Sequence, residues 1–232
     1  MDEPVARERE NAARAALALV EPGMRLGLGT GRTAARFVAL LGARVREGLS
    51  IAAVVATSTR TEALAREEGL PLCDMTTASV PTAVDLAVDG ADEVDGNLCL
   101  IKGGGGALLR EKMVAQMASR FVVIVDGAKR VDVIGRFPLP VEVVPFGWGV
   151  TAARIERALG VRPLLRVVDG VTKVTDNGNF VLDCPFGAID DPAAVAATVS
   201  SIAGVVEHGL FVTEAAVALI GTGATVTTLH RP

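Results

Sequence analysis

Met24-Arg25-Leu26-Gly27-Leu28-Gly29-Thr30-Gly31-Arg32-Thr33-Ala34-Ala35-Arg36-Phe37 reads as a strand, a glycine turn and the start of a helix. Met24 to Leu28 is a short apolar run. From Thr33 to Val45 the apolar residues Ala34, Phe37, Val38, Leu41 and Val45 recur at helical spacing. Glycines between a strand and a helix let the backbone approach a ligand, and the helix N-terminus offers N–H groups and positive potential. Thr30 and Thr33 add hydroxyl donors, so the turn with Gly31 and Arg32 is a candidate phosphate site. A tight structural turn is the plainer alternative. The dinucleotide fingerprint fails because its third glycine position falls on Arg32, and no Gly-Lys-Ser/Thr completes a Walker A loop.

The pattern repeats on either side of this unit. Pro4 to Val20 reads as an Ala-rich helix ended by Pro22-Gly23. Ile51 to Ala56 reads as a strand, Thr61 to Glu68 as a helix closed by Gly69, Leu70 to Cys73 and Val84 to Val88 as strands. Ala107 to Ser119 reads as a helix and Phe121 to Val125 as a strongly apolar strand. Alternating strands and helices, with continuous apolar strands, predict a Rossmann-like, mainly parallel α/β sheet with helices on both faces.

The texture changes after Lys129. Phe137 to Pro145 contains three prolines in a β-rich segment, and a helix is expected from Val150 to Leu159. Strands are expected at Leu164 to Val168 and Phe180 to Asp183, with a turn at Asp176-Asn177-Gly178-Asn179. Asp191-Pro192 opens a helix running to Ser201, and Val205 to Val212 reads as a last strand. This is the split-βαβ order. It predicts a smaller α+β, ferredoxin-like domain at 133–212 inserted into a catalytic domain of 1–132 and 213–232, with Ala216 to Ile220 returning to the main sheet.

Composition narrows the function. The chain has no Tyr, one Trp, a net charge of −4 and no basic run, which argues against nucleic acid as a partner. A small phosphorylated metabolite remains compatible, because a few N–H groups and one or two cations hold it. Cys73, Cys99 and Cys184 are odd in number and widely spaced, and the only histidines are His208 and His230, so neither a disulfide framework nor a Cys/His metal site is expected. The polar Met1 to Glu10 stretch does not read as a signal peptide, and no apolar run approaches the roughly 20 residues of a membrane span. A cytoplasmic location without membrane contact is expected.

Further candidate residues follow predicted strands, at the carboxyl ends where ligands bind in parallel sheets. In Thr57-Ser58-Thr59-Arg60-Thr61, the hydroxyls of Ser58 and Thr61 can face one anion, although one of Thr57, Ser58 and Thr59 is expected as a helix cap. In Asp89-Gly90-Ala91-Asp92-Glu93-Val94-Asp95, four acids fall within seven residues. The EF-hand register is absent, so a proton-handling pair, Asp89 and Asp92, fits better than a metal site. Lys102 precedes Gly103-Gly104-Gly105-Gly106 and a helix bearing Glu111. Four glycines cost backbone entropy beyond what a turn needs, and suit a backbone lying against a ligand. Lys102 can stabilise an oxyanion, and Glu111 can point into the same cavity. Arg110 and Lys112 read as a charged helix face. Lys129, after Phe121 to Val125, is either a phosphate or sugar contact or a solvated loop lysine.

Six segments in order, GLGTGRTAARF (27–37), TSTRTEALA (57–65), VDGADEVDG (88–96), LIKGGGGALLREK (100–112), GRFPLPVEVVP (135–145) and TDNGNFVLD (175–183), resemble the ribose-5-phosphate isomerase A family. The resemblance implies interconversion of ribose 5-phosphate and ribulose 5-phosphate through an enediolate, in the non-oxidative pentose phosphate pathway. It implies Glu111 as the base; Asp89, Asp92 and Lys102 at the reacting carbons; Thr30, Gly31, Arg32 and Thr33 at the phosphate; and Lys129 as a substrate contact. Gly90, Ala91, Gly103, Gly104, Gly105, Ser58 and Thr61 complete the expected binding set. No metal or cofactor is implied, and a homodimer or dimer of dimers is. Arg32 and Ala128 stand where serines are common, and Arg9 near a common lysine; these departures touch substrate affinity rather than proton transfer. Two rivals share the fold class. A CoA-transferase would need a larger cavity for its thioester, and a sugar-phosphate sensor would carry a helix-turn-helix unit ahead of Gly27.

Overall fold

A computed structural model describes residues 3–77 and 80–231. Residues 1, 2, 78, 79 and 232 of the expected catalytic domain lie outside the described residues. The chain divides into two compact units, one of Met1–Ala91, Arg110–Arg130 and Thr213–Pro232, the other of Asp92–Leu109 and Val131–Val212. The segment Asp92–Leu109 thus clusters with the second unit rather than with the residues that precede it.

In the first unit, six strands form one sheet in the order Thr225–His230, Val217–Thr222, Ala118–Asp126, Val84–Asp89, Arg25–Leu28, Ala53–Ala56. All pairings are parallel except the outermost, where Thr225–His230 runs antiparallel to Val217–Thr222. Alternate strand residues (Leu26, Leu28, Leu86, Val88, Val122, Ile124) join one core with Ala12, Ala13 and Ala16 of helix Glu3–Leu17 and Phe37, Val38 and Leu41 of helix Arg32–Arg46. The alanines are fully buried and let the first helix lie close to its neighbours. The opposite face meets helix Leu108–Met117: a Cβ on Gly27 would stand 2.5 Å from Val114 Cγ1. Both faces are covered, which is why the strands read as apolar runs rather than alternating ones.

The second unit holds a four-stranded antiparallel sheet in the order Val205–His208, Leu139–Val143, Phe180–Cys184, Leu164–Leu165. Helices Trp148–Leu159 and Pro192–Ser200 complete the split-βαβ arrangement. The second helix is capped by Asp191, whose side chain accepts from Ala194 N at 2.9 Å. A three-stranded sheet, Leu210–Phe211, Leu100–Ile101 and Glu93–Val94, and a hairpin of Val167–Val168 and Val171–Thr172 belong to the same unit.

Three expected strands are corrected. Leu70 to Cys73 contributes only a bridge between Leu72 and Val54, since Pro71 has no N–H for a ladder. Val205 to Val212 is two strands in different sheets, split at Gly209, where a Cβ would lie 2.1 Å from Lys102 O. Leu164 to Val168 is likewise divided at Arg166, whose N donates to Val181 O and whose O accepts from Lys173 N. The edge strand Thr225–His230 was not expected.

Candidate active site

In the first unit the candidate residues begin at the glycine turn. Strand Arg25–Leu28 pairs with Val84–Asp89, so Gly29 and Asp89 leave the sheet side by side. Gly29 is required there, because a Cβ would fall 2.0 Å from Asp89 Oδ1. That oxygen accepts from Thr30 N (2.9 Å) and Gly90 N (2.7 Å), and the carboxylate is buried.

Four hydroxyls gather beside it. Thr30 Oγ1 lies 2.8 Å from both Thr57 Oγ1 and Ser58 Oγ. Ser58 Oγ donates to Thr61 Oγ1 at 3.0 Å, and Thr61 Oγ1 donates to Gly29 O at 2.9 Å. Ser58 also caps helix Thr59–Glu67 by accepting from Thr61 N. The cap and the proposed anion contact therefore fall on the same residue. Gly31, with φ +108°, precedes helix Arg32–Arg46 and supplies no side-chain cap, so the helix start keeps its N–H groups for other acceptors. Thr33 is buried in the first turn and Arg32 is exposed.

Glu111, the fourth residue of helix Leu108–Met117, is only 6 % exposed. Lys112 beside it is 5 % exposed, so the expectation of a solvated helix face fails at this position. The exposed side of this helix falls instead on Met113, one residue further on. Arg110 does behave as expected, with an ion pair to Glu62 at 3.7 Å. Lys129 ends a short 3-10 turn, Gly127–Lys129, and is half-buried. Arg9 lies under the preceding strand end: its Nε and Nη2 reach Asp126 Oδ2 at 2.9 and 2.8 Å, while its buried Nη1 finds no acceptor among the described residues. The Arg9–Asp126 pair was missed, because a helix arginine and a strand-end aspartate 117 residues apart carry no local signal.

In the second unit the remaining acids separate by role. Asp92 Oδ2 accepts from Gly104 N at 2.7 Å. Glu93 is fully engaged by backbone, Oε1 with Phe137 N (2.8 Å) and Oε2 with Gly135 N (2.7 Å). Asp95 Oδ1 accepts from Asn97 N and Cys99 N. Half of the acidic run therefore organises loops. Among the described residues no three His, Cys, Asp or Glu side chains group as metal ligands.

Lys102 is buried at the end of strand Leu100–Ile101, with Nζ 5.6 Å from the ring centre of Phe211. The four glycines have separable reasons. Gly103 (φ +99°) and Gly106 (φ +83°) close a turn, with Gly106 N donating to Gly103 O. A Cβ on Gly104 would stand 2.6 Å from Asp92 Oδ1. Gly104 and Gly105 are exposed. Arg166, also missed, binds this loop: Nη1 donates to Gly103 O (2.7 Å) and Gly104 O (3.1 Å), while Nε and Nη2 grip Asp183 at 2.9 and 2.5 Å. The structure thus gathers Thr30, Ser58, Thr61, Asp89 and Gly90 in one unit, and Asp92, Gly103 and Gly104 in the other.

A parallel sheet with a hydroxyl-lined glycine turn at its strand ends defines an α/β protein of the kind that holds small anions. The sequence profile of ribose 5-phosphate isomerase A (phosphoriboisomerase A) matches residues 53–225. Ribose-5-phosphate isomerase A of Parvibaculum lavamentivorans is 48% identical over 221 residues, covering 93% of this chain and 94% of the relative. That of Thermomicrobium roseum is 50% identical over 228 residues, covering 97% and 94%. Among solved structures, ribose 5-phosphate isomerase A from Methanocaldococcus jannaschii superposes with a TM-score of 0.89 at 39% identity, covering 96% and 98%. A D-ribose-5-phosphate isomerase in complex with phospho-erythronic acid gives 0.91 at 39% identity, covering 98% and 99%. The chain belongs to the ribose 5-phosphate isomerase A family.

Proposed function

We propose that this chain interconverts D-ribose 5-phosphate and D-ribulose 5-phosphate, with Glu111 as the proton-transferring base. The observation that carries the reading is that Asp89 and Glu111 in the first unit, and Lys102 in the second, are each buried in a family member whose surface has ample room for charge. Ionisable groups are costly to bury and cluster where chemistry uses them.

The mechanism follows from the roles these groups can take. Asp89 accepts the anomeric hydroxyl proton as the ring C–O bond breaks and hands the same proton to the departing ring oxygen, which becomes a hydroxyl. Glu111 then removes the proton from C2, leaving an enediolate whose charge rests on O1. Lys102 and glycine-loop N–H groups stabilise that oxygen. Glu111 returns the proton to C1 while the O2 proton passes to O1, which yields the ketose. Asp92 positions sugar hydroxyls with Gly90, Ala91, Gly103, Gly104 and Gly105. Thr30, Gly31, Arg32, Thr33, Ser58, Thr61 and Lys129 hold the phosphate. The relative bound to phospho-erythronic acid supports this choice of substrate class. A phosphorylated aldonic acid offers a planar carboxylate where an enediolate has its two oxygens.

No helix among the described residues is long and apolar enough to cross a membrane. Three free cysteines favour a reducing, cytoplasmic setting and a place in the pentose phosphate pathway there. Exposed apolar side chains at Phe146, Val167, Val168 and Val171 favour self-association, as a homodimer or dimer of dimers, which sedimentation tests directly. The activity is tested by a coupled assay with ribose 5-phosphate after exhaustive EDTA treatment. Full turnover is expected; no turnover with or without added metal would remove the assignment.

A further inference from the structure

Arg166 stands outside every role given so far, yet its guanidinium touches the glycine loop directly. Its four bonds form one assembly within the second unit. Nε and Nη2 grip Asp183 as a fork, and Nη1 reaches Gly103 O at 2.7 Å and Gly104 O at 3.1 Å. The pair is well sheltered, with side-chain exposures of 11% for Arg166 and 22% for Asp183. Charge-assisted bonds in such a setting are strong and directional.

Peptide geometry turns this grip into an orientation. Across a trans peptide, the C=O of one residue and the N–H of the next point in opposite directions. The peptide joining Gly103 and Gly104 is pinned at both ends: its oxygen by Arg166, its N–H by Asp92 Oδ2 at 2.7 Å. The next peptide has its oxygen on the same Nη1, so the N–H of Gly105 is turned away from the guanidinium, to the side on which Asp92 takes the N–H of Gly104. With the N–H of Gly104 taken by Asp92, the N–H of Gly105 is the donor this side of the loop offers to an incoming oxygen. Neither glycine has a side chain to hold the loop in this state, and Gly104 admits no Cβ against Asp92. The orienting element has to come from outside the loop.

We propose that Arg166, held by Asp183, is a positioning residue that, by holding the two loop carbonyls, fixes the N–H of Gly104 on Asp92 and turns the N–H of Gly105 toward the reacting oxygens of the substrate. The inference rests on the isomerase reading. It explains why strand Leu164–Leu165 breaks at Arg166 instead of continuing into Val167. It also assigns Asp183 a function in catalysis without substrate contact.

The test compares Arg166→Lys, which keeps charge but loses the fork, with Asp183→Asn, which leaves the arginine and frees it. Preorganised donors lose their effect when displaced by about 1 Å, so both variants are expected to lower kcat by roughly 10- to 100-fold, with KM changed less than about 3-fold. The Gly104 amide is expected to exchange with solvent faster in both. Chemical rescue adds a readout that a structural role would not move: methylguanidine restores kcat in Arg166→Ala. Parent-like kcat in both folded single variants overturns the proposal. So does a loss confined to KM, or to the folded fraction measured by circular dichroism. Inactivity of the parent chain is a separate result that removes the isomerase reading and this inference with it.

Discussion

At the scale of single residues, the site divides its acids by what each oxygen already holds. Glu93 and Asp95 spend their oxygens on loop N–H groups, and Asp89 and Asp92 keep one engaged oxygen each on the backbone. Glu111 is buried on a helix start, and Glu111→Gln is expected to leave a folded protein with kcat lowered at least ~10²-fold in the coupled assay. Turnover near that of the parent would take the base role away from it. Cys184 makes a different prediction. Burial pushes its thiol up to about 12, with the Asp183 carboxylate adding to the effect. It is expected to stay unlabelled by maleimide in the native state and to react once the chain is unfolded, whereas Cys73 and Cys99, partly exposed, label first. Rapid native labelling at Cys184 would contradict the packing described. At this scale the motifs announced most of the site, because glycine runs and acids after strands have few structural uses. Arg166, Asp183, Phe211 and the Arg9–Asp126 pair were silent: each depends on a partner well beyond its local stretch of chain, 17 residues away for Arg166 and Asp183 and 117 for Arg9 and Asp126, and its own neighbours look ordinary.

At the scale of elements, the strand-turn-helix at Met24 to Val45 was readable from periodicity alone, since a buried strand and an amphipathic helix leave different spacings. The two strand breaks were not. Gly209 and Arg166 interrupt apolar runs for reasons of hydrogen bonding across sheets, which hydropathy does not encode. Helix-to-helix ties were equally hidden. Glu10 of the first helix binds Arg36 of the second and, at 2.6 Å, its own neighbour Arg14. The Arg36 hydrogen bond holds the Glu10 carboxyl below its ordinary value, against an opposing effect of burial. A carboxyl lowered on folding adds stability above its unfolded pKa, about 4.3, and loses it as pH falls through the folded value. Glu10→Gln is therefore expected to cost a few tenths of a kcal/mol near neutrality, discounted because Arg36 is half exposed. The difference from the parent should vanish on acidification through the carboxylate range. Chemical denaturation at several pH values measures it, and a pH-independent difference would assign the cost to packing instead.

At the scale of the whole molecule, the chain leaves its parallel sheet to build a second unit and returns at Thr213 to add two more strands. Substrate binding is expected to raise the unfolding midpoint by mass action, by about 2.7 kcal/mol of stability at a hundredfold excess over Kd. Inorganic phosphate alone should give a smaller, saturable shift, and no shift with either would mean the hydroxyl-lined turn holds no anion. The alternating strands and helices of the first unit up to Asp126, and the split-βαβ order of the second, followed from the sequence, while the edge strand Thr225–His230 did not. The allegiance of Asp92–Leu109 did not, because two-residue strands leave almost no pattern. That segment is tied to the larger sheet at one point. A single residue, Gly209, separates Val205–His208 in the four-stranded sheet from Leu210–Phe211, which pairs with Leu100–Ile101, and its carbonyl receives the N–H of Lys102. With no loop between the two strands, the register of the larger sheet sets where the backbone that carries the lysine must lie.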